Sequence, residues 1–281
     1  MPQRKGSPQE SCAHPCLPFT ASSPGPKQSP EADILKGMIR VARPIPADRI
    51  KLLIFDLDGT LVDSKMDLAC SVNAMLRHYH RPELPIEVIG SYIGDGAPML
   101  VRRALGDPDD QQFVMEALQF FMAYYREHKL DHTYAYAGIP EALETIRRTG
   151  RITMAVLSNK PVRPSRDICA GLGLGEYFVQ IYGGNSFETK KPDPFGALTL
   201  LRETGTKAQE AVMIGDSQND VLTAQNAGMW SLGVNYGLSP ESLQAHPPDV
   251  LVDTVEEMLQ ALGLAVGAAS GEVPSREGFV S

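Results

Sequence analysis

Short apolar segments that alternate with helical stretches are the feature that most constrains the fold of this chain. Five segments have the length and apolar content of buried strands, and three helical stretches that end near a glycine lie among them. Alternation of this kind predicts an α/β protein with a Rossmann-like parallel sheet covered on both faces. The strand candidates are 52–55, 152–157, 179–182, 211–214 and 231–234, and the helix candidates are 140–149, 194–203 and 217–227.

One long interval interrupts this alternation. Between the first strand and residue 137 no segment is convincing as a strand, and apolar residues instead recur at helical spacing. We predict a helical cap over 64–136, inserted into an α/β core formed by 47–63 and 137–266. The residues with helical spacing are Met66, Ala69, Val72, Leu76 and Tyr79, followed by Phe113, Ala117, Phe121 and Tyr125.

The two ends of the chain have a different composition. Residues 1–46 hold nine of the 22 prolines, with little periodic apolarity, and residues 267–281 are rich in Gly, Ala, Ser and charge. Such segments bury too little apolar surface to offset the entropy lost on ordering. We therefore predict a disordered N-terminal extension over 1–46 and a loose C-terminal tail over 267–281.

The first strand ends on two carboxylates, Asp56 and Asp58, followed by Gly59 and Thr60. Unpaired carboxylates are costly inside a strand but can stand just past its carboxyl end, where α/β folds build their sites. Two adjacent carboxylates suit Mg²⁺ and phosphate chemistry, and a carboxylate can act as a nucleophile. The alternative is an ordinary acidic turn after a strand.

Three later segments also follow strand candidates and should reach the same edge of the sheet. Ser158 and Asn159 could bind phosphoryl oxygens or simply cap a helix. Lys190 and Lys191, before Pro192, could neutralise a phosphoryl group or form an exposed basic turn. Asp216 and Asp220, one helical turn apart, could bind a hard cation, or Asp216 could cap a helix beside an incidental acid. Four such segments in this order are far less expected by accident than any one alone.

With these segments the sequence resembles the haloacid dehalogenase superfamily over roughly residues 48–262. The similarity is carried by the motifs DLDGT at 56–60, SNKP at 158–161, KKPDP at 190–194 and GDSQND at 215–220. Within the superfamily the chain is most similar to phosphoglycolate phosphatases with a helical cap, which share DGTLVDS at 58–64 and YIGDGAPML at 92–100.

The resemblance implies a role for each matching residue. Asp56 would be the nucleophile, Asp58 the general acid and base, and Ser158 and Lys191 would contact the phosphoryl group. Mg²⁺, the implied cofactor, would bind Asp56, the backbone carbonyl of Asp58, and Asp216. Asp220 would orient Lys191 or a water on the metal.

The resemblance further implies a small phosphate ester as substrate, most closely 2-phosphoglycolate. Backbone N–H groups of Gly94, Asp95 and Gly96, together with Asn159, are the candidates for contacting it, and a glycine-rich turn that caps a helix is the alternative for 94–96. A sugar-phosphate mutase, a pyrophosphatase and a broad sugar-phosphate phosphatase remain alternatives within the superfamily. A non-enzymatic binding protein is the alternative of another class.

Charge and composition limit the partners. The chain carries 26 Lys and Arg against 34 Asp and Glu, a net charge of −8, and has no basic cluster, so nucleic acid is not an expected partner. No apolar run approaches the ~20 residues needed to cross a bilayer, so no membrane association is expected. Four scattered cysteines and the absence of a signal-like segment predict a cytoplasmic protein. Either a monomer or a homodimer is expected, and the sequence does not choose between them.

Overall fold

The computed structural model describes residues 39–264, which form a mostly parallel sheet flanked by helices. The predicted α/β class is confirmed. Seven strands in this range form the main sheet in the order β1-β9-β8-β7-β2-β5-β6, and β3 and β4 form a separate antiparallel pair. The strands are β1 (Arg40–Val41), β2 (Leu52–Phe55), β3 (Val62–Asp63), β4 (Tyr134–Ala135), β5 (Thr153–Leu157), β6 (Gln180–Tyr182), β7 (Ala211–Gly215), β8 (Trp230–Val234) and β9 (Val250–Val252).

Helices cover the sheet and fill the interval between β3 and β4. Among residues 39–264, four helices lie between β3 and β4, in the predicted cap interval, and six follow β4. They are α1 (Lys65–His78), α2 (Ile86–Gly90), α3 (Ala97–Ala104), α4 (Gln111–His128), α5 (Ile139–Arg148), α6 (Val162–Gly171), α7 (Phe195–Thr204), α8 (Gln218–Ala227), α9 (Ser242–Ala245) and α10 (Val255–Ala261).

The register of the central strands places the functional segments side by side. Phe55, the last residue of β2, is paired with Val156 of β5 on one side and Ile214 of β7 on the other, both in parallel. Chain segments that leave these three strands therefore emerge at one edge of the sheet. All four residues of β2 are buried. One cluster of buried apolar residues extends from Phe55 of β2 to Phe121 in the cap.

The five predicted strands are present with ends shifted by no more than one residue, but four short strands were not predicted. The segment 1–46, predicted as disordered, contains β1, which pairs antiparallel with β9. Arg43 strengthens this attachment, because its guanidinium contacts Asp249 at 2.8 Å and lies 4.1 Å from the ring centroid of Trp230. Residues 1–38 and the predicted tail 267–281 lie outside the described residues.

The predicted cap interval contains four helices and also the strand β4, where no strand was expected. Asp67, near the start of α1, links the segment that enters this interval after β3 to the segment that leaves it before β4. Its buried carboxylate accepts hydrogen bonds from the backbone N–H groups of His132 and Thr133 and from the Thr133 hydroxyl. No helix in the described part of the chain is both long and apolar enough to cross a membrane.

Candidate active site

Asp56 lies at the carboxyl end of β2, and the sheet register brings Ser158, Lys191 and Asp216 towards it. Oδ1 of Asp56 accepts from the backbone N–H of Leu57 at 2.7 Å and lies 2.9 Å from Nζ of Lys191. Burial raises the pKa of Asp56 to about 6, even though Lys191 favours its ionised form. The predicted nucleophile is thus a buried carboxylate held in place by a cation.

Lys191 is buried between two carboxylates. Its Nζ lies 2.6 Å from Oδ1 of Asp220, and Asp220 in turn accepts from the backbone N–H and the hydroxyl of Ser217. Burial acts against the ammonium, but Asp220 and Asp56 more than compensate and raise the pKa of Lys191 above its ordinary value. Asp220 thus contacts Lys191, the side chain that it was predicted to orient, and the orienting role itself stays a prediction.

Asp216 is held by a loop that sequence reasoning did not identify. Its Oδ2 accepts from the backbone N–H groups of Leu238 and Ser239 at 2.7 and 3.0 Å. Gly59 packs against it at φ +85°, and a Cβ there would lie 2.1 Å from Oδ2 of Asp216, so glycine is required on both counts. Leu238 lies more than twenty residues beyond Asp216, and no local pattern signals the contact.

Asp56, Asp216 and Asp220 form a cluster whose ligand oxygens all lie within 4.8 Å of one another. Burial and the neighbouring carboxylates of Asp220 and Asp56 raise the pKa of Asp216 to about 8. Crowded, buried carboxylates are stabilised by a cation, and hard divalent ions prefer carboxylate oxygens. Asp56 and Asp216 are therefore a donor pair that fits Mg²⁺, whereas both oxygens of Asp220 are already engaged by Lys191 and Ser217.

Asp58 points towards a cation that was not among the predicted site residues. Its Oδ1 accepts from the hydroxyl of Ser64 at 2.5 Å, and its two oxygens lie 3.0 and 3.1 Å from Nζ of Lys160. Lys160 directly follows Ser158 and Asn159 in the segment after β5. Its position in the sequence could therefore have identified it as a candidate site residue. Ser158 itself is buried, and its hydroxyl accepts from the backbone N–H of Lys160.

The segment 94–96 of the cap docks onto the core through Asn159. Nδ2 of Asn159 donates to the carbonyl oxygens of Gly94 and Lys191, both at 3.0 Å. A Cβ on Gly96 would lie 2.7 Å from the carbonyl oxygen of Asn159, so this close approach requires glycine. The carboxylate of Asp95 is held by Arg103 and Asn219 rather than directed freely into the site.

A cavity of about 40 Å³ lies where the cap meets the core. The core side contributes polar groups that include Asp56, Asp58, Ser158 and Asp216, and Gly94 and Gly96 form part of its wall. The cap side is mainly apolar, and it is lined by Leu68, Ile93, Leu100, Phe121, Met122 and Tyr125. Most of the predicted site residues thus line one small cavity. Lys191, Asp220 and Asp95 do not line it, and Lys191 reaches the site through its contact with Asp56. Contact between substrate and the N–H groups of 94–96 stays a prediction.

A parallel sheet with a helical insert and a buried carboxylate cluster at one edge defines a capped α/β enzyme. Residues 53–234 match the family model described as haloacid dehalogenase-like hydrolase. The chain belongs to this family, and the predictions of a hydrolase and of its superfamily are confirmed.

Curated relatives and solved structures agree with this assignment. The chain is 35% identical over 225 residues to the phosphoglycolate phosphatase of Vibrio parahaemolyticus, covering 77% of this chain and 97% of that protein. It is 37% identical over 226 residues to phosphoglycolate phosphatase 1 of Pseudomonas aeruginosa, covering 78% and 82%. A crystal structure described as a predicted phosphoglycolate phosphatase from Haemophilus somnus matches with a TM-score of 0.71 and 30% identity, covering 75% and 97% of the two chains.

Proposed function

We propose that the protein is a Mg²⁺-dependent phosphatase that hydrolyses 2-phosphoglycolate through an aspartyl-phosphate on Asp56. The observation that carries this proposal is a cavity of about 40 Å³ that is lined by both Asp56 and Asp58. Behind it, Nζ of Lys191 lies 2.9 Å from Oδ1 of Asp56. The cavity is small, which favours a small ester, and the curated relatives named above are phosphoglycolate phosphatases.

In the first half-reaction an oxygen of Asp56 attacks phosphorus, and the bond from phosphorus to the glycolate oxygen breaks. Asp58 donates a proton to that oxygen, so glycolate leaves as an alcohol. Lys191 offsets the charge on the phosphoryl oxygens, and the hydroxyl of Ser158 donates a hydrogen bond to one of them.

In the second half-reaction a water molecule attacks phosphorus and loses a proton to Asp58, which is now a general base. The bond from phosphorus to Asp56 breaks, and inorganic phosphate is released. Mg²⁺ held by Asp56, the backbone carbonyl of Asp58 and Asp216 would shield the negative charge that accumulates between phosphate and enzyme.

The substrate is tested with a panel of 2-phosphoglycolate, glucose 6-phosphate and pyrophosphate, each scored by kcat/KM with Mg²⁺ present. We expect 2-phosphoglycolate to exceed both others by at least about tenfold, about 1.4 kcal/mol of transition-state discrimination. The variant Asp56→Asn, purified in parallel, controls for contaminating phosphatases. An equal or higher kcat/KM for glucose 6-phosphate or pyrophosphate would reject 2-phosphoglycolate as the substrate but leave the phosphatase chemistry standing.

A further inference from the structure

Lys160 is a buried cation that the mechanism above does not use. Its side chain is 4% exposed, it lines the cavity, and its Nζ contacts both carboxylate oxygens of Asp58 at 3.0 and 3.1 Å. On the cap side, Nζ lies 4.7 Å from the ring centroid of Tyr125. Burying a lysine costs free energy, and the ion pair with Asp58 offsets that cost. The pair still leaves the ammonium on the cavity wall, where a second anion could reach it.

The charges around the cavity are unevenly distributed. Among the described residues that line it, Lys160 is the one Lys or Arg, while Asp56, Asp58 and Asp216 are all acidic. The cap contributes mainly apolar side chains to this space. A second anionic group on a substrate would therefore find a single cationic side chain along the cavity wall.

The covalent structure of the substrate sets where its second anion must lie. In 2-phosphoglycolate one CH₂ group separates the leaving oxygen from the carboxylate. Because Asp58 must reach that oxygen to donate a proton, the substrate carboxylate lies within a few ångströms of Asp58. Once Asp58 has given up its proton, the two carboxylates repel each other unless a cation joins them. Lys160 already contacts Asp58, and an ammonium has three N–H donors to share.

Resting on the proposed function, we infer that Lys160 binds the carboxylate of the substrate and selects phosphate esters that carry one. The alternative donors, the N–H groups of 94–96, carry no full charge. The side-chain and carbonyl contacts of that segment serve its docking, since the carbonyl of Gly94 accepts from Asn159 and the carboxylate of Asp95 is held by Arg103 and Asn219. Lys160 is thus a specificity residue, and the segment 94–96 positions the cap.

The test compares two esters that differ only in the second group, 2-phosphoglycolate and 2-hydroxyethyl phosphate. The ratio of their kcat/KM values is measured for wild type and for Lys160→Gln, with Mg²⁺ present. We expect the wild-type ratio to favour 2-phosphoglycolate and to fall by about 10- to 100-fold in Lys160→Gln, the range of a lost charge-assisted hydrogen bond. If Lys160 only positions Asp58, both esters slow equally and the ratio stays constant, which overturns the inference.

A binding measurement separates recognition from chemistry. In the Asp56→Asn background, adding Lys160→Gln should raise the Kd for 2-phosphoglycolate and leave that for 2-hydroxyethyl phosphate within about threefold. Lys129→Met is the matched control, because Lys129 is also largely buried and paired, with Asp167 at 3.4 Å, but does not line the cavity. Its substrate ratio should equal that of wild type.

A second variant and the wild-type enzyme test the same inference without Lys160→Gln. Lys160→Met keeps the apolar stem and replaces Lys160→Gln if the amide variant does not fold. Equal kcat/KM for the two esters in wild type would overturn the role of Lys160 without any variant. A wild type that favours the carboxylated ester but hydrolyses glucose 6-phosphate faster still would instead reject the proposed substrate and leave the role of Lys160 standing.

Discussion

Asp56 combines burial with fixed partners on one side of its carboxylate. Its Oδ1 is engaged by the N–H of Leu57 and by Lys191, and Lys191 is itself fixed by Asp220. A nucleophile whose partners are already in place loses little entropy on reaching its reactive geometry. Catalysis is therefore expected to require the carboxylate group of Asp56, and a side chain of the same size without a nucleophilic oxygen should not replace it.

Asp56→Asn should abolish turnover while the protein still folds. The amide has the shape of the carboxylate but is a poor nucleophile. It also removes a buried negative charge, which burial already disfavours, as the raised pKa of Asp56 indicates. We expect kcat to fall by more than about 1000-fold, about 4 kcal/mol on the barrier, with a cooperative thermal transition retained. Steady-state kinetics and thermal unfolding monitored by circular dichroism measure both effects.

The matched control for this change is Asp109→Asn, at an exposed aspartate of the cap. Its kcat should equal that of wild type. Turnover by Asp56→Asn within about tenfold of wild type would reject Asp56 as the nucleophile.

At the scale of elements, the connection between cap and core depends on the start of α1. Asp67 is buried there and holds the backbone of His132 and Thr133, which precede β4. The pairing of β3 with β4 lies next to this cluster and joins the same two connections. The two segments that connect cap and core are thus held together by the carboxylate of Asp67 and by the pairing of two very short strands.

Asp67→Asn should destabilise the protein. An amide has one acceptor oxygen where the carboxylate has two, and its NH₂ group would face the N–H donors of His132 and Thr133. We expect a loss of about 2–3 kcal/mol in the free energy of unfolding, measured by urea denaturation, because buried hydrogen bonds to a charged group are broken.

Asp131→Asn changes a nearby aspartate whose side chain is 50% exposed and contacts His128. It should alter the free energy of unfolding by no more than about 0.5 kcal/mol. A loss below about 1 kcal/mol for Asp67→Asn would show that the cap connection does not depend on this carboxylate.

At the scale of the whole molecule, the acidic cluster joins segments that are far apart in the chain. Asp56 follows β2, Asp216 follows β7, and the N–H groups of Leu238 and Ser239 hold Asp216 from the loop after β8. A cation bound here would link these segments in the folded state and find no such site in the unfolded chain. Binding should therefore be coupled to global stability.

Mg²⁺ should raise the Tm of the wild type, and an excess of EDTA should silence its activity reversibly. At a Mg²⁺ concentration of 100 times its Kd, the expected stabilisation is about 2.7 kcal/mol. Asp216→Ala removes one carboxylate of the cluster, so it should lose most of this stabilisation and need more Mg²⁺ for activity. Differential scanning calorimetry and kinetics against Mg²⁺ concentration measure the two responses.

NaCl at matched ionic strength controls for general salt effects on stability. Full activity in excess chelator, with no dependence of Tm on Mg²⁺, would contradict a metal site at this cluster.

The elements that local sequence predicted well are those whose own residues suffice to define them. Strands β2, β5, β7 and β8 are runs of four or five mostly buried residues, and each was located to within one residue. Strands β1, β3 and β4 have two residues each and were missed, because so short a segment shows no period of its own and becomes a strand only through its partner.

The sequence by itself determined the class of fold and the polar residues at the ends of β2, β5 and β7, since apolar period and motif spacing are local properties of the chain. Only the tertiary structure decided which of these residues touch. It paired Asp58 with Lys160, and it brought Leu238 and Ser239 to Asp216. These contacts depend on strand register and on how the loops and cap pack, which arise from long-range burial that no single segment encodes.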